Sequence, residues 1–119
     1  MTTKQDVEAF LKELGVKIAV FDILFLDGRG KNQQALLDLE ISPNCRKETV
    51  LALNIEDYTT GPLEEKMLGL PPMWVFGKSV KGKEIYIKIS MGVPNSNVIC
   101  ISFHVAEHPM TYPFKMQKP

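Results

Sequence analysis

Apolar and polar residues alternate with a period of two along most of residues 73–108, which predicts a three-stranded antiparallel meander. The alternation is clearest in residues 84–90, where three isoleucines face one way and polar or amphipathic side chains face the other. Residues 98–104 repeat the pattern after a turn rich in glycine, proline and asparagine. The first strand, residues 73–79, joins the middle strand through a tight hairpin at Gly82.

The alternation gives each predicted strand a core face and a mixed face. In the last strand, the two isoleucines and the phenylalanine are expected in the core, and pairing Ile89 with Ile99 sets Ser102 opposite Tyr86. A two-residue hairpin places Gly77 opposite Tyr86 as well, which predicts a hollow beside the tyrosine ring. The mixed face of the last two strands is expected to carry these residues: Tyr86, Lys88, Val98, Cys100, Ser102 and His104.

The N-terminal third of the chain predicts a helix followed by a strand. Thr3 is a suitable helix cap, and apolar residues recur at helical spacing from Val7 until Gly15, where the helix is expected to end. Residues 16–26 are almost wholly apolar and rich in β-branched and aromatic residues, which predicts a strand.

Two more helices are expected next. Asn32 is expected to cap a helix that runs to Glu40, with leucines 36, 37 and 39 on its buried side. Ser42 and Pro43 predict the cap and first residue of a third helix that ends near Leu53, whose apolar residues are Val50, Leu51 and Leu53.

The remaining segments have weaker patterns. Residues 54–72 contain scattered glycines and prolines, which predicts an irregular connection with one helical turn at residues 63–68. The tail after Pro109 has no period, and Tyr112 and Phe114 are expected to hold it against the rest of the chain.

The order of these elements predicts an α/β protein of the α+β type, in which N-terminal helices pack on a mainly antiparallel sheet. A length of 119 residues predicts one domain, residues 1–119. The formal net charge is zero, so no global attraction to nucleic acid or membrane is expected. Residues 1–60 carry 7 Lys/Arg against 10 Asp/Glu, and residues 61–119 carry 7 against 4. The positive half contains the meander, which either suits an anionic ligand there or arises by chance.

The sequence predicts neither a metal site nor a cofactor site. Two cysteines are too few for a disulfide framework, and Cys100, within an apolar run, is expected to be a small core residue. The N-terminus has no apolar segment typical of a secretion signal, and no stretch is long enough to span a bilayer. The protein is therefore expected to be cytoplasmic, without a membrane partner.

Two short motifs suggest chemistry that their context does not favour. Residues 104–108 match H-x-x-E-H, the inverted zinc-protease signature, but that motif requires a helix and here it follows a predicted strand. A small metal-dependent hydrolase based on His104, Glu107 and His108 is therefore a third-ranked alternative. Residues 28–31, Gly-Arg-Gly-Lys, lack the full phosphate-loop pattern and are interpreted as an ordinary turn.

The mixed face has the groups that metal-free RNA cleavage needs, although exposed tyrosine and lysine residues are often merely solvated. Such cleavage requires a base for the 2′-hydroxyl, a cation for the phosphorane and an acid for the departing 5′-oxygen. His104 is the candidate acid or base, Lys88 the candidate cation and Tyr86 the candidate phosphate ligand or proton donor. The candidate RNA-contacting residues are Lys78, Lys81, Lys83, Trp74 and Tyr58. Trp74 or Tyr58 is expected to stack on a base, and Trp74 is equally well explained as a core residue.

Several short motifs, in order and spacing, resemble the MqsR family of bacterial toxins. They are the Leu36-Leu37 pair with its following helix, Glu56-Asp57-Tyr58, Trp74, Ile85-Tyr86-Ile87-Lys88 and Ile101-Ser102-Phe103. The resemblance covers residues 32–104. It implies a RelE-like domain that acts as a ribosome-independent mRNA interferase, a toxin of a toxin–antitoxin system with mRNA as its substrate and a cognate antitoxin protein as its partner.

The resemblance also assigns site residues, and it is incomplete. Tyr86 stands at the position of the family's catalytic tyrosine, and His104 stands where the family has a lysine. Thr60 and Val75 fall where the family has a supporting lysine and glutamine, and Lys78 or Lys88 is a candidate for the missing cation. The alternative function is therefore a RelE-like module without catalytic activity that binds RNA or a protein.

Overall fold

The computed structural model describes residues 1–28 and 30–115, and these residues form three α-helices, one short 3₁₀ helix and five strands. The helices are α1 (Lys4–Phe21), α2 (Gly30–Leu39) and α3 (Pro43–Leu51), and the 3₁₀ helix is Ile55–Asp57. The strands are β1 (Ile23–Phe25), β2 (Tyr58–Leu63), β3 (Met73–Val80), β4 (Lys83–Ser90) and β5 (Val98–Val105). No helix in the described ranges is apolar over a length that would cross a bilayer.

The α+β class predicted from the sequence is confirmed. The sheet order is β1-β5-β4-β3-β2, with β1 parallel to β5 and the other pairs antiparallel. One face of the sheet packs against apolar side chains from all three helices, and this layer is the core. The opposite face carries the mixed residues of β4 and β5.

α1 begins where the sequence predicts and ends six residues later than expected. Thr3 and Asp6 form a capping box, in which Thr3 Oγ1 accepts from the Asp6 N–H at 3.2 Å. The helix continues through Gly15 to Phe21, so the strand predicted at residues 16–26 is reduced to Ile23–Phe25. A glycine within a helix costs about 1 kcal/mol. Burying Ile18 on the next turn contributes about 1.5–3 kcal/mol, which outweighs that cost.

The second helix differs from its prediction in the role of Asn32. This residue does not cap α2 but lies inside the helix, 1% exposed, with its side chain bonded to β5. Leu37, expected on the buried side, is 73% exposed, and Ala35 and Leu39 are buried instead. The amide of Asn32 thus sets which side of α2 faces the sheet.

α3 begins as predicted, with Ser42 as the cap and Pro43 in the first turn. Of its predicted apolar residues, Val50 is buried and Leu51 is half exposed. The buried face of α3 also includes Arg46, whose guanidinium lies 4.2 Å from the centre of the Phe25 ring and forms two hydrogen bonds to Asp27, at 2.5 and 3.0 Å. This ion pair holds Asp27 against α3.

The connection predicted as irregular contains β2, an edge strand that the sequence analysis missed. β2 pairs with β3 in a shifted register and includes Pro62, which an edge strand tolerates because one side needs no ladder hydrogen bond. The helical turn predicted at residues 63–68 is also wrong. The Glu65 carboxylate accepts backbone N–H groups of Met67, Leu68 and Leu70 and closes a non-helical turn, and these bonds lower the pKa of Glu65.

β5 contains a bulge that reverses the predicted faces of its first half. Lys88 pairs with Ser102 but Ile89 pairs with Cys100, so Ile101 has no partner on β4. One extra residue exchanges the two faces, and Val98 and Cys100 therefore point into the core in place of the isoleucines. Beyond the bulge the predicted faces of residues 102–104 are confirmed, although the predicted pairing of Ile89 with Ile99 is wrong.

The hairpin between β3 and β4 is confirmed, and the hollow predicted beside Tyr86 is filled. Lys81 and Gly82 form a two-residue turn with positive φ values of 51° and 78°, and Gly77 pairs with Tyr86. A Cβ atom at Gly77 would overlap the hydroxyl of Tyr112, which donates a hydrogen bond to Glu84 Oε2 at 2.6 Å. Burial, together with this bond, raises the pKa of Tyr112, so the hydroxyl stays protonated.

The C-terminal tail is tethered as predicted. Besides the Tyr112 contact, Phe114 stacks on Tyr58 with ring centres 5.3 Å apart. Thr59 Oγ1 also donates a hydrogen bond to the Thr111 carbonyl. The tail therefore crosses the mixed side of the sheet near β3 and β4.

The reversed face of β5 predicts a difference in thiol reactivity. Cys100 is fully buried, and burial raises the pKa of its thiol, whereas Cys45 on α3 is partly exposed. We expect a thiol reagent such as Ellman's reagent to modify about one cysteine per native chain and about two after denaturation, since only the thiolate reacts. Cys45→Ser is the control and should abolish the native signal. Rapid labelling of both cysteines in native protein would contradict the assigned face.

Candidate functional site

A groove of about 850 Å³ lies over the mixed face of β4 and β5. Its floor consists of side chains from three neighbouring strands: Val75, Tyr86, Lys88, Ser102 and His104. The start of α2 forms one wall, and Thr59 and Thr60 of β2 line the groove as well. Residues 107–111, which follow β5, complete its lining. The four residues expected to share this face, Tyr86, Lys88, Ser102 and His104, are therefore brought together.

Tyr86 and His104 are directly opposite each other on β4 and β5, not diagonal as the sequence pairing implied. Their rings stack with centres 5.3 Å apart and planes inclined by 16°. This stacking contact keeps the phenol and the imidazole adjacent on the floor of the groove. The change from the predicted register comes from the bulge at Ile101, which the alternation did not reveal.

The hydrogen bond of His104 sets the roles of its two nitrogens. Nδ1 lies 3.0 Å from the Val105 carbonyl oxygen. A carbonyl only accepts, so Nδ1 carries a proton and Nε2 of the neutral ring keeps its lone pair. His104 is half-buried and lines the groove, so its imidazole is positioned to accept a proton from a ligand there.

Tyr86 is positioned as a proton donor. Burial raises the pKa of its phenol above the ordinary value, so the hydroxyl is protonated at neutral pH. The Lys88 ammonium lies 5.8 Å from the centre of the Tyr86 ring, on the same face of β4. A base, a hydroxyl donor and a cation are thus adjacent in one groove.

Two further charged residues stand at the rim. Lys31, in the first turn of α2, pairs with Glu107, which follows β5. The hydrogen bond and the attraction from Lys31 lower the pKa of Glu107, with smaller contributions from His104 and His108. The sequence analysis did not assign Lys31 to a site. The Gly-Arg-Gly-Lys motif was the available signal, and the fold brings its lysine to the groove.

The predicted aromatic RNA contacts do not lie in the groove. Tyr58 is 6% exposed, and its hydroxyl donates to the Gly61 carbonyl at 2.7 Å. Trp74 lies on the core face of β3 and stacks on Phe10 with ring centres 4.6 Å apart. Both rings are engaged by packing, which favours the core role of Trp74, and stacking of either ring on a base stays a prediction.

The three predicted RNA-contacting lysines of the β3–β4 hairpin also lie outside the groove lining. Lys78 pairs with Asp57 at 3.2 Å, and Lys81 donates to the Glu40 carbonyl at 2.9 Å. Lys83 is exposed at the start of β4. A contact between these lysines and RNA remains a prediction, and it would require RNA to extend beyond the groove.

The H-x-x-E-H segment lacks the helix that the zinc motif needs. His104 and Val105 end β5, and Glu107 and His108 lie in a bend. Among residues 1–28 and 30–115, no three His, Cys, Asp or Glu side chains are grouped as metal ligands. The described side chains therefore do not provide the ligand set of the hydrolase alternative.

Comparisons of this chain with protein-family models, with curated proteins and with solved structures find no match, and its function is inferred from the groove itself.

Proposed function

We propose that this protein is a metal-free endoribonuclease that cleaves mRNA in the groove over β4 and β5. The observation that carries the proposal is the stacked pair of Tyr86 and His104, with the Lys88 ammonium beside it. In keeping with the resemblance of its motifs to MqsR toxins, we extend the proposal to a toxin of a toxin–antitoxin system, held inactive by an antitoxin protein.

The proposed reaction is an internal transesterification. His104 Nε2 removes the proton of the 2′-hydroxyl, and the 2′-oxygen attacks the adjacent phosphorus. Lys88 stabilises the negative charge of the phosphorane. The bond from phosphorus to the 5′-oxygen breaks as Tyr86 donates its proton to that oxygen. The products are a 2′,3′-cyclic phosphate and a 5′-hydroxyl, and His104 then returns its proton through solvent to Tyr86.

The lining of the groove supports an anionic substrate. Lys31 and Lys88 line it against the single carboxylate of Glu107. Thr60 and Val75, the positions at which the resemblance expects supporting groups, line the same groove as Tyr86 and His104. The positions that the resemblance marks as a site therefore lie together in space.

The alternative is a RelE-like module that binds RNA or protein without cleaving it. The observation that favours it is the chemistry of Thr60 and Val75, since neither provides the cation or amide that the resembled family has there. The two functions differ in one measurable step, because the module would bind RNA and leave its backbone intact.

Cleavage of a labelled mixed-sequence RNA in EDTA tests the proposal. We expect discrete products ending in a cyclic phosphate, at low salt because phosphate contacts weaken steeply with ionic strength. The same sequence made of 2′-deoxynucleotides should stay intact, since it lacks the attacking oxygen. The assay is repeated with ribosomes present. RNA that binds but stays intact under both conditions would refute the nuclease and establish the module.

A further inference from the structure

The first turn of α2 forms a wall of the groove next to its catalytic floor. Gly30 and Lys31 line the groove at this point. The first N–H groups of an α-helix have no partner within the helix and carry a positive partial charge, so they attract anions. The Asp27–Arg46 ion pair holds Asp27, which precedes α2, and the side chain of Asn32 binds the helix to β5.

Another group in the same groove is the hydroxyl of Ser102. Ser102 is 4% exposed, lines the groove and lies between Ile101 and Phe103, the two residues that Asn32 binds. Within residues 1–28 and 30–115, no group forms a hydrogen bond with Ser102 Oγ. Since Ser102 lines the groove, its hydroxyl is available to donate a hydrogen bond to an oxygen of a ligand there.

An ion pair between Lys31 and Glu107 lies at the rim of the groove beside the first turn of α2. Glu107 is ionised at neutral pH like any exposed glutamate, and the hydrogen bond from Lys31 lowers its pKa further, so the two side chains neutralise each other. Both are largely exposed and lie at the rim, so the pair is screened by water. An incoming dianion or phosphodiester can therefore compete with Glu107 for the Lys31 ammonium.

We propose that the first turn of α2, Lys31 and Ser102 form a second phosphate subsite, beside the site of Tyr86, Lys88 and His104. The inference rests on the proposed function and names its substrate class: an oligoribonucleotide that occupies the groove with at least two phosphates. The groove volume agrees, since about 850 Å³ is near the upper end of the range of roughly 300–1,000 Å³ for pockets that hold a small ligand.

Binding of non-cleavable dinucleotides tests the subsite without relying on cleavage. The probes are 2′-O-methyl dinucleotides with no terminal phosphate, a 5′-phosphate or a 3′-phosphate, titrated by ¹H–¹⁵N NMR. We expect one terminal phosphate to tighten binding about 10-fold or more, because it adds a charge-assisted contact. The Gly30 and Lys31 amides should shift with that phosphate only.

Lys31→Gln and Ser102→Ala should each remove most of this gain, whereas Lys12→Gln, an exposed lysine on α1, should keep it. Because Lys31 is exposed, its variant tests the subsite even if Ser102→Ala does not fold. Equal binding of all three probes by the wild type, or a gain that survives in Lys31→Gln, would overturn the subsite. A phosphate gain without RNA cleavage by the wild type would support the subsite and refute the nuclease, whereas cleavage without the gain would refute the subsite alone.

Discussion

Replacing His104 by alanine is expected to slow metal-free RNA cleavage by about 10²- to 10⁴-fold, the range in which a general base contributes to a reaction. The imidazole is the one described base on the groove floor, and its Nδ1 bond to the Val105 carbonyl leaves Nε2 to take the 2′-proton. The measurement is kcat/KM for a labelled RNA in EDTA, with thermal unfolding run in parallel to show that the variant is folded.

The second histidine of the chain provides a matched control. His108 lies exposed at the rim of the same groove, so His108→Ala removes the same kind of side chain without removing the proposed base. We expect this variant to retain cleavage within a few-fold of wild type. Equal losses in the two variants would indicate a general electrostatic effect on RNA binding and would contradict the assignment of His104.

The pH dependence of cleavage separates the base from the proton donor. A general base acts only when it is unprotonated, so the wild-type rate should rise with pH to a plateau. Tyr86 acts only when protonated, and burial raises its pKa, so no fall is expected below about pH 10. Loss of the rising limb in His104→Ala would support its role, and an unchanged profile would contradict it.

The part of the site on β4 could be predicted because its alternation is strict. Tyr86 and Lys88 alternate with isoleucines that are fully buried in the core. The alternation therefore puts Tyr86 and Lys88 on the opposite face, where both line the groove. The faces of β5 were harder to predict, because residues 98–101 are all apolar and either side of the strand could be the buried one. A bulge does not alter the pattern of a wholly apolar run, so the register that stacks His104 on Tyr86 could not be predicted from the sequence.

Contacts between elements distant in sequence determine features that the local sequence pattern does not predict. Gly15 is a reasonable helix end in isolation, but burial of Ile18 against the core extends α1 past it. Lys31 belongs to a motif that is typical of an ordinary turn, and only the packing of α2 beside β5 brings it to the groove. Asn32 is the clearest instance, since its side chain is suited to a helix cap but forms hydrogen bonds to the backbone of β5 instead.

Asn32 replaces a missing strand beside β5. β1 ends at Phe25, and its pairing with β5 ends at Cys100, so the next part of the β5 edge lacks a strand partner there. Asn32 supplies it: Nδ2 donates to the Ile101 carbonyl at 3.0 Å, and Oδ1 accepts the Phe103 N–H at 2.9 Å. Nδ2 also donates to the Leu26 carbonyl at 3.0 Å, which joins the end of β1 to the same amide.

Asn32→Ala is expected to lower the free energy of unfolding by about 3–4 kcal/mol, because it leaves a buried N–H and two carbonyls without their partner and each such group costs about 1–3 kcal/mol. That is a large share of the roughly 5–15 kcal/mol typical of a domain. Urea unfolding measures the change. Gln33→Ala, at the next and exposed position of α2, is the control and should change stability by less than about 0.5 kcal/mol. A loss below about 1 kcal/mol for Asn32→Ala would mean that water replaces the amide at the β5 edge, and the start of α2 would then not be held against the groove by this side chain.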